Sequence, residues 1–280
     1  MKYTAIVLAG SRPGPDPFAA QYGVATKALI PVAGEAMVRR PVEALLASER
    51  VGDVIVLAQT PELIAAALPT DARLRVDESR ETIASTILAL CESPDTQWPL
   101  LVTTADHALL DTVTIDEFCA AAEGSDIAIG VVERDLLLRR LPQTRRTWLK
   151  FRDGAYTGAN LFALSSPKVA RAVEIWRSVE QDRKKAWRII SLLGPVTLAA
   201  TALRLLSLDD VLSSLSDRLG LSIKAVRLSN PLAGVDVDKP DDHALVEAIV
   251  ESQGPRSSRA SVEGRVSTSL DTNGLDQGKA

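Results

Sequence analysis

AIVLAG (residues 5–10), SRPGPDPFAAQYGVAT (11–26) and KALIPVAG (27–34) follow one another near the start of the chain, and their reading decides the fold. The first piece is a short apolar run with β-branched residues, so it reads as a buried strand. The second is rich in Gly, Pro and small polar residues, so it reads as a loop. The third begins at Lys27, returns to apolar residues and ends in a Gly turn. A strand that opens into a loop carrying Arg12 and Lys27 can cradle a polyphosphate, because backbone N–H groups and both cations can point at phosphate oxygens. An ordinary surface loop after a first strand would have the same composition.

Outward from this stretch, strand and helix patterns alternate. Helical spacing covers residues 35–47, 61–68, 82–90 and 114–122, and apolar runs at 54–57, 100–103 and 127–132 read as strands. That alternation predicts an α/β fold with a largely parallel sheet. Further strands are expected at 159–164 and 226–228, with a helical pattern from about 169 to 219 between them and a closing helix at 241–250. From Ser252 onward large apolar residues almost vanish, which predicts a disordered tail.

The chain has 280 residues, 46% hydrophobic and 24% charged, ordinary values for a globular protein. Its net charge of −4 gives no global attraction to nucleic acid. Cys91 and Cys119 form no metal-ligand spacing and fit buried thiols in a reducing compartment. The start MKYTAIVLAG has no signal-peptide shape, so a cytoplasmic location is expected. Two histidines, His107 and His243, give little support to His-based metal sites or a Ser–His–Asp triad.

Asp106 ends a buried strand, where open α/β sheets bind ligands, and a carboxylate there can hold Mg²⁺. A turn or helix-capping Asp is the plainer account. Asp236 and Asp238 lie two apart, so in an extended segment both point to one side, and one of them could complete a metal site with Asp106. Capping before a helix that starts at Pro240 would also explain them. Arg80 and Ser85 could meet a nucleotide, or Ser85 could cap a helix. The run 139–152 holds Arg139, Arg140, Arg145, Arg146, Lys150 and Arg152 with no acid, which suits an anionic acceptor or a solvated loop. Gly158 would allow close backbone approach, and Asn160 offers both donor and acceptor. Residues 189–208 are apolar but interrupted by Gly194, Pro195 and Arg204, too broken to span a membrane. The wider stretch 168–204 is basic, so it could lie on an anionic membrane surface or pack as a helical subdomain on the sheet.

Together these pieces resemble the sugar-phosphate and MobA-like nucleotidyltransferases. AIVLAG with Lys27-Ala28-Leu29-Ile30-Pro31-Val32-Ala33-Gly34 is similar to that family's opening signature, TTAD at Asp106 to its strand-end aspartate, and Asp236-Val237-Asp238-Lys239-Pro240-Asp241-Asp242 to its closing run. The Arg80 to Ser85 stretch is similar to the base-contacting segment of the cytidylyltransferase branch. The resemblance covers roughly residues 3–132 and 226–250. It departs at Gly10-Ser11-Arg12-Pro13-Gly14, where the family usually reads G-G-x-G-x-R.

The resemblance implies a Rossmann-like, GT-A type three-layer α/β/α fold with a mostly parallel mixed sheet. The domain would span 1–251, with a helical insert at about 168–220 and a tail at 252–280. It implies transfer of a nucleotidyl group from an NTP, CTP or GTP by preference, to a phosphorylated small-molecule or lipid-linked acceptor. Lys27, Arg12 and Asp106 would be catalytic. Leu8, Ala9, Gly10, Ser11, Arg80 and Ser85 would join them around the nucleotide. Arg146, Lys150, Gly158 and Asn160 would meet the acceptor, and Asp106, Asp236 and Asp238 would hold Mg²⁺. Rival readings are a glycosyltransferase with an Asp-x-Asp metal site and a non-catalytic nucleotide sensor at a membrane surface. A dinucleotide-binding dehydrogenase is disfavoured, because G-x-G-x-x-G spacing is absent after the first strand.

Overall fold

A computed structural model of the chain describes residues 1–10, 14, 16–180, 194 and 197–253. Strand β1 (Tyr3–Leu8) is buried along its whole length. Two short strands, β2 (Pro31–Val32) and β3 (Glu35–Ala36), form a separate hairpin whose turn places Ala33 and Gly34 at positive φ. The later strands are β4 (Val51–Ala58), β5 (Leu74–Glu78), β6 (Leu100–Thr104), β7 (Ile127–Glu133), β8 (Leu149–Phe151), β9 (Gly154–Leu164) and β10 (Ile223–Arg227). The main sheet runs β10-β7-β9-β6-β1-β4-β5, with β8 paired to β9. β9 is antiparallel to β6, β7 and β8, and the other neighbours are parallel. β1 therefore lies inside the sheet, between β4 and β6, which is why its sequence is apolar on both faces.

Side chains alternate across β1 with period two, and each set meets its own helices. Ala5 and Val7 share a core with Val42 and Leu45 of α2 (Arg39–Ala47), Ile115 and Phe118 of α5 (Thr112–Ala122), and Val246 and Ile249 of α9 (Pro240–Gln253). Ile6 and Leu8 face Ile87 and Leu88 of α4 (Ile83–Glu92) and Val173 of α7 (Ala170–Glu180). On the β10 side, Val131 and Tyr156 meet Leu208 and Leu212 of α8 (Leu208–Leu219). The result is the expected α/β/α sandwich on a mostly parallel mixed sheet. Each fully buried Leu or Ile contributes about 1.5–3 kcal/mol to it.

Local chemistry sets the helix ends. Thr82 and Ser85 cap α4 reciprocally, Ser207 and Asp210 do the same for α8, and Gly220 closes α8 in the left-handed region at φ 66°. In α1 (Pro17–Gln21), Asp16 accepts from the Phe18 and Ala19 amides.

Several elements differ from the sequence expectation. The helix expected from residue 35 starts at Arg39, because Glu35 and Ala36 are taken into the hairpin and the Met37 and Val38 amides bond back to Ile30 and Ala28. β5 escaped notice because it is an edge strand, LRVDE, with its polar residues exposed. Helix α3 (Pro61–Ala65) stops short of residue 68, and α6 (Arg134–Arg140) occupies a stretch to which the sequence pattern assigned no element. The helical stretch 169–219 is divided among the described residues: Arg204 takes a φ of 56°, and α8 begins at Leu208. Residues 189–193, 195 and 196 of the apolar stretch 189–208, and the tail from 254, lie outside the described residues. Among the described residues, no helix is long and apolar enough to cross a membrane.

Candidate active site

Parallel strands carry their carboxyl ends to one rim, and the loops leaving β1 and β6 meet there. The Ala9 amide bonds to Leu57 O at 2.9 Å and the Ala105 amide to Leu8 O at 3.0 Å, so the loops leave the sheet already fastened to its neighbours. A Cβ added at Gly10 would fall 3.0 Å from the Gln59 side chain, so the chain passes close under that amide. The loop is tied down at its far end as well. Tyr22 packs edge-on against Phe18 at 5.7 Å and lies 3.0 Å from His243 Nδ1. His243 Nε2 lies 2.6 Å from Pro31 O, so that nitrogen carries the proton and Nδ1 accepts from the Tyr22 hydroxyl. His107, the other histidine, is buried, and burial pushes its pKa down to about 4. Both imidazoles serve the scaffold.

Lys27 opens a short 3₁₀ turn, Lys27–Leu29, directly after the loop. Its Nζ donates to Asp106 Oδ2 at 2.6 Å and to Asp238 Oδ1 at 3.0 Å. Burial disfavours the Lys27 ammonium, but the two carboxylates outweigh it and raise its pKa above the ordinary lysine value. Thr104 Oγ1 donates to the other Asp106 oxygen and fixes the carboxylate's orientation. The Asp106 carbonyl accepts from the Val237 amide at 3.1 Å, which seats residues 236–238 beside the end of β6.

A second cluster adjoins the first. Arg146, whose side chain is only 8% exposed, reaches down from the loop between α6 and β8. Its Nη1 donates to Asp236 Oδ1, and its Nη2 to Asp236 O at 3.0 Å and Asp242 Oδ1 at 3.3 Å. Asn160 Nδ2 donates to the other Asp236 oxygen at 3.2 Å. The Asp242 Oδ2 accepts from the Asp238 amide at 3.3 Å and so links the clusters. Burial raises the Asp236 pKa; Arg146 opposes this, while Asp238 and Asp106 add to it.

Asn160 sits inside β9 at φ 47°, next to a register shift in the β7–β9 pairing. A residue in the left-handed region within a strand costs about 1–2 kcal/mol unless it is Gly, Asn or Asp. Asn160→Ala removes both that tolerance and the bond to Asp236. It should lower stability by about 2 kcal/mol, and urea unfolding with an unchanged m-value is the check; Asn160→Asp should keep the backbone but strain against Asp236.

The structure thus brings Lys27, Asp106 and Asp238 together, and Arg146, Asn160 and Asp236 beside them. Leu8 ends β1, and Ala9 and Gly10 lead into the loop; Ser11 and Arg12 lie outside the described residues. Arg80 is exposed just past the end of β5, on the same rim, with its amide bonded to Thr86 Oγ1. The Ser85 hydroxyl serves the α4 cap. Gly158 is exposed opposite Val131, with open space where a Cβ would stand. Lys150 is exposed on β8 and meets neither cluster. Sequence reasoning missed Thr104 and Asp242. Asp242 was visible as the last acid of the Asp236–Asp242 run, but its partnership with Arg146 was not.

Among the described residues, no group of three or more His, Cys, Asp and Glu side chains is arranged to hold a metal ion. The rim offers carboxylate oxygens singly and in pairs. That donor set fits Mg²⁺, which takes one or two carboxylates and fills its shell with water and phosphate oxygens. It does not fit a closed protein cage.

The model of the MobA-like NTP transferase domain matches residues 5–210. A structure titled as a hypothetical transferase from Thermus thermophilus is 29% identical, covers 87% of this chain and 100% of its own, and superposes with a TM-score of 0.72. The 4-diphosphocytidyl-2C-methyl-D-erythritol synthase of Anaerococcus prevotii shares the fold at 11% identity, covering 89% of this chain and 96% of its own, with a TM-score of 0.57. Among curated proteins, none matches the chain.

Proposed function

The chain belongs to the MobA-like NTP transferase family, and from that premise we propose that it moves an NMP group from an NTP to a phosphorylated acceptor and releases pyrophosphate. The observation that carries this reading is the Lys27 ammonium held between Asp106 and Asp238 at the carboxyl rim. The two ion pairs are unequal. The Asp238 side chain is 64% exposed and Asp106 only 14%. An exposed carboxylate gains little from its pair, so an arriving phosphate oxygen can take its place on Nζ while Asp106 keeps the lysine aimed.

The reaction brings an anionic acceptor oxygen to an α-phosphorus that already carries negative charge. Positioning and charge stabilisation do most of this work, and no covalent nucleophile is needed. Lys27, with Arg12 from the preceding loop, would stabilise the β- and γ-phosphates as they depart. Asp106, with Asp236 or Asp238, would hold Mg²⁺, which when bound offsets phosphate charge. Leu8 to Ser11, Arg80 and Ser85 would line the nucleotide, with CTP or GTP preferred. Asn160, Gly158, Arg146 and Lys150 would border the acceptor, a phosphorylated small molecule or lipid-linked precursor. We place the enzyme in the cytoplasm, with the basic stretch 168–204 able to touch the inner membrane face.

The test is a pyrophosphate-release screen of the four NTPs against phosphorylated sugars, polyols and lipid precursors. Release with one NTP and one acceptor class, lost with EDTA and restored by Mg²⁺, is the expected result. Release of a nucleoside diphosphate from a nucleotide sugar would instead make the protein a glycosyltransferase. Tight NTP binding with no turnover on any acceptor would make it a sensor.

A further inference from the structure

Beside the Arg146–Asp236 cluster lies a cavity of about 540 Å³, between the loop after α6 and the start of α9. That volume is in the usual range for a small-molecule site, roughly 300–1,000 Å³. Arg140 and Arg145 line it from the segment 140–145, and Lys239 from the residue before α9. Among the described residues, none of these three cations has a carboxylate partner. Of the two acids in the lining, Asp242 is already engaged by Arg146 Nη2 and the Asp238 amide. Only Asp241 remains to balance three positive charges. The opening turn of α9, a 14-residue helix, adds its amide dipoles to the same side. Leu141, Pro142 and Leu245 supply an apolar wall.

The geometry points to this cavity as the seat of a phosphate monoester, the acceptor's anionic group, with the organic body against the apolar wall. The assignment of the monoester to the acceptor rests on the transfer reading above; the anion pocket itself does not. The connection to the catalytic rim is short. Lys239 directly follows Asp238, and Asp242 binds Arg146, which holds Asp236. The Asp242 and Arg146 side chains thus link the cavity wall to Asp236.

Phenyl phosphate, inorganic phosphate and pyrophosphate, titrated calorimetrically into the full chain with and without Mg²⁺-CTP or Mg²⁺-GTP, would test this. Phenyl phosphate should bind more tightly than inorganic phosphate and without competing with the nucleotide. Arg145 and Lys239 are both exposed, so the Arg145→Ala/Lys239→Ala double variant should fold normally. It should lose at least about tenfold in phenyl phosphate affinity and keep its nucleotide affinity within about twofold, as for cations that do not touch the nucleotide. Unchanged phenyl phosphate affinity in that variant would overturn the site. An equal loss of nucleotide affinity would make the cavity part of the triphosphate seat and overturn its separate role. A much larger loss for pyrophosphate than for phenyl phosphate would make it a product exit and overturn the acceptor assignment. Loss of phenyl phosphate binding together with no NTP turnover on any acceptor would keep the anion pocket and retire the transfer reading.

Discussion

Lys27→Ala is expected to slow pyrophosphate release by about three orders of magnitude, the scale seen when one preorganised donor to developing charge is removed. Far-UV circular dichroism and a cooperative unfolding transition should survive, because Lys27 sits on the rim and its partner Asp238 is mostly solvated. The ammonium is aimed before substrate arrives: Asp106 holds it at 2.6 Å, and Thr104 holds Asp106. No reorganisation is then needed during the reaction. Lys27→Arg should rescue little, since a planar fork cannot occupy the seat of a compact point charge. Asp106→Ala should cost a similar factor, because it frees the lysine and removes the least exposed carboxylate of the Lys27 cluster. Turnover within tenfold of wild type in both variants would remove the mechanism.

Arg146→Ala should lower stability by about 3–5 kcal/mol, the cost of leaving a buried charge without its partner. For a chain of this size that is roughly a 10 °C fall in Tm. The guanidinium is 8% exposed and serves two carboxylates, at Asp236 and Asp242, so no water can replace it fully. The loss should depend on pH, and its sign follows from Asp236. The fold raises that carboxyl above its ordinary 3.8, through burial and against the pull of Arg146. The protonated form is therefore favoured by folding, and stability falls as pH rises from the unfolded pKa through the folded one. Without Arg146 the folded pKa rises further, so the penalty is largest at neutral pH and shrinks as pH drops into the carboxylate range. Denaturant titrations of both proteins at pH 7 and pH 4 would read this. A penalty independent of pH would show that lost packing, and not the stranded Asp236 charge, is responsible. Arg146→Ala/Asp236→Asn should recover part of the loss at pH 7.

The strands that read most fully are buried on both faces, whereas the edge strand β10 was caught only at its end. β1, β4, β6 and β7 read as apolar runs because each has helices above and below it. β5 was hidden because it lies at the sheet's edge and spends its alternate residues on solvent. The hairpin at 31–36 was hidden because two-residue strands have no period to read. The basic run 139–152 shows the limit most clearly. Six similar cations stand there, and nothing in their order tells that Arg146 turns inward while Arg140 and Arg145 face an open cavity. That choice is made by where the loop after α6 passes the start of α9.

The amino-acid order alone determined the α/β class, the strand that opens into the loop, and the candidates Lys27, Asp106, Asp236 and Asp238. These follow from local properties: apolar period, turn chemistry, and charge at a strand's end. Which cation meets which carboxylate was decided only by the tertiary structure. Lys27 finds Asp106 and Asp238 across 79 and 211 residues because parallel strands bring the loop after β1 and the end of β6 to one rim, and the Val237 amide fastens residues 236–238 to the Asp106 carbonyl there.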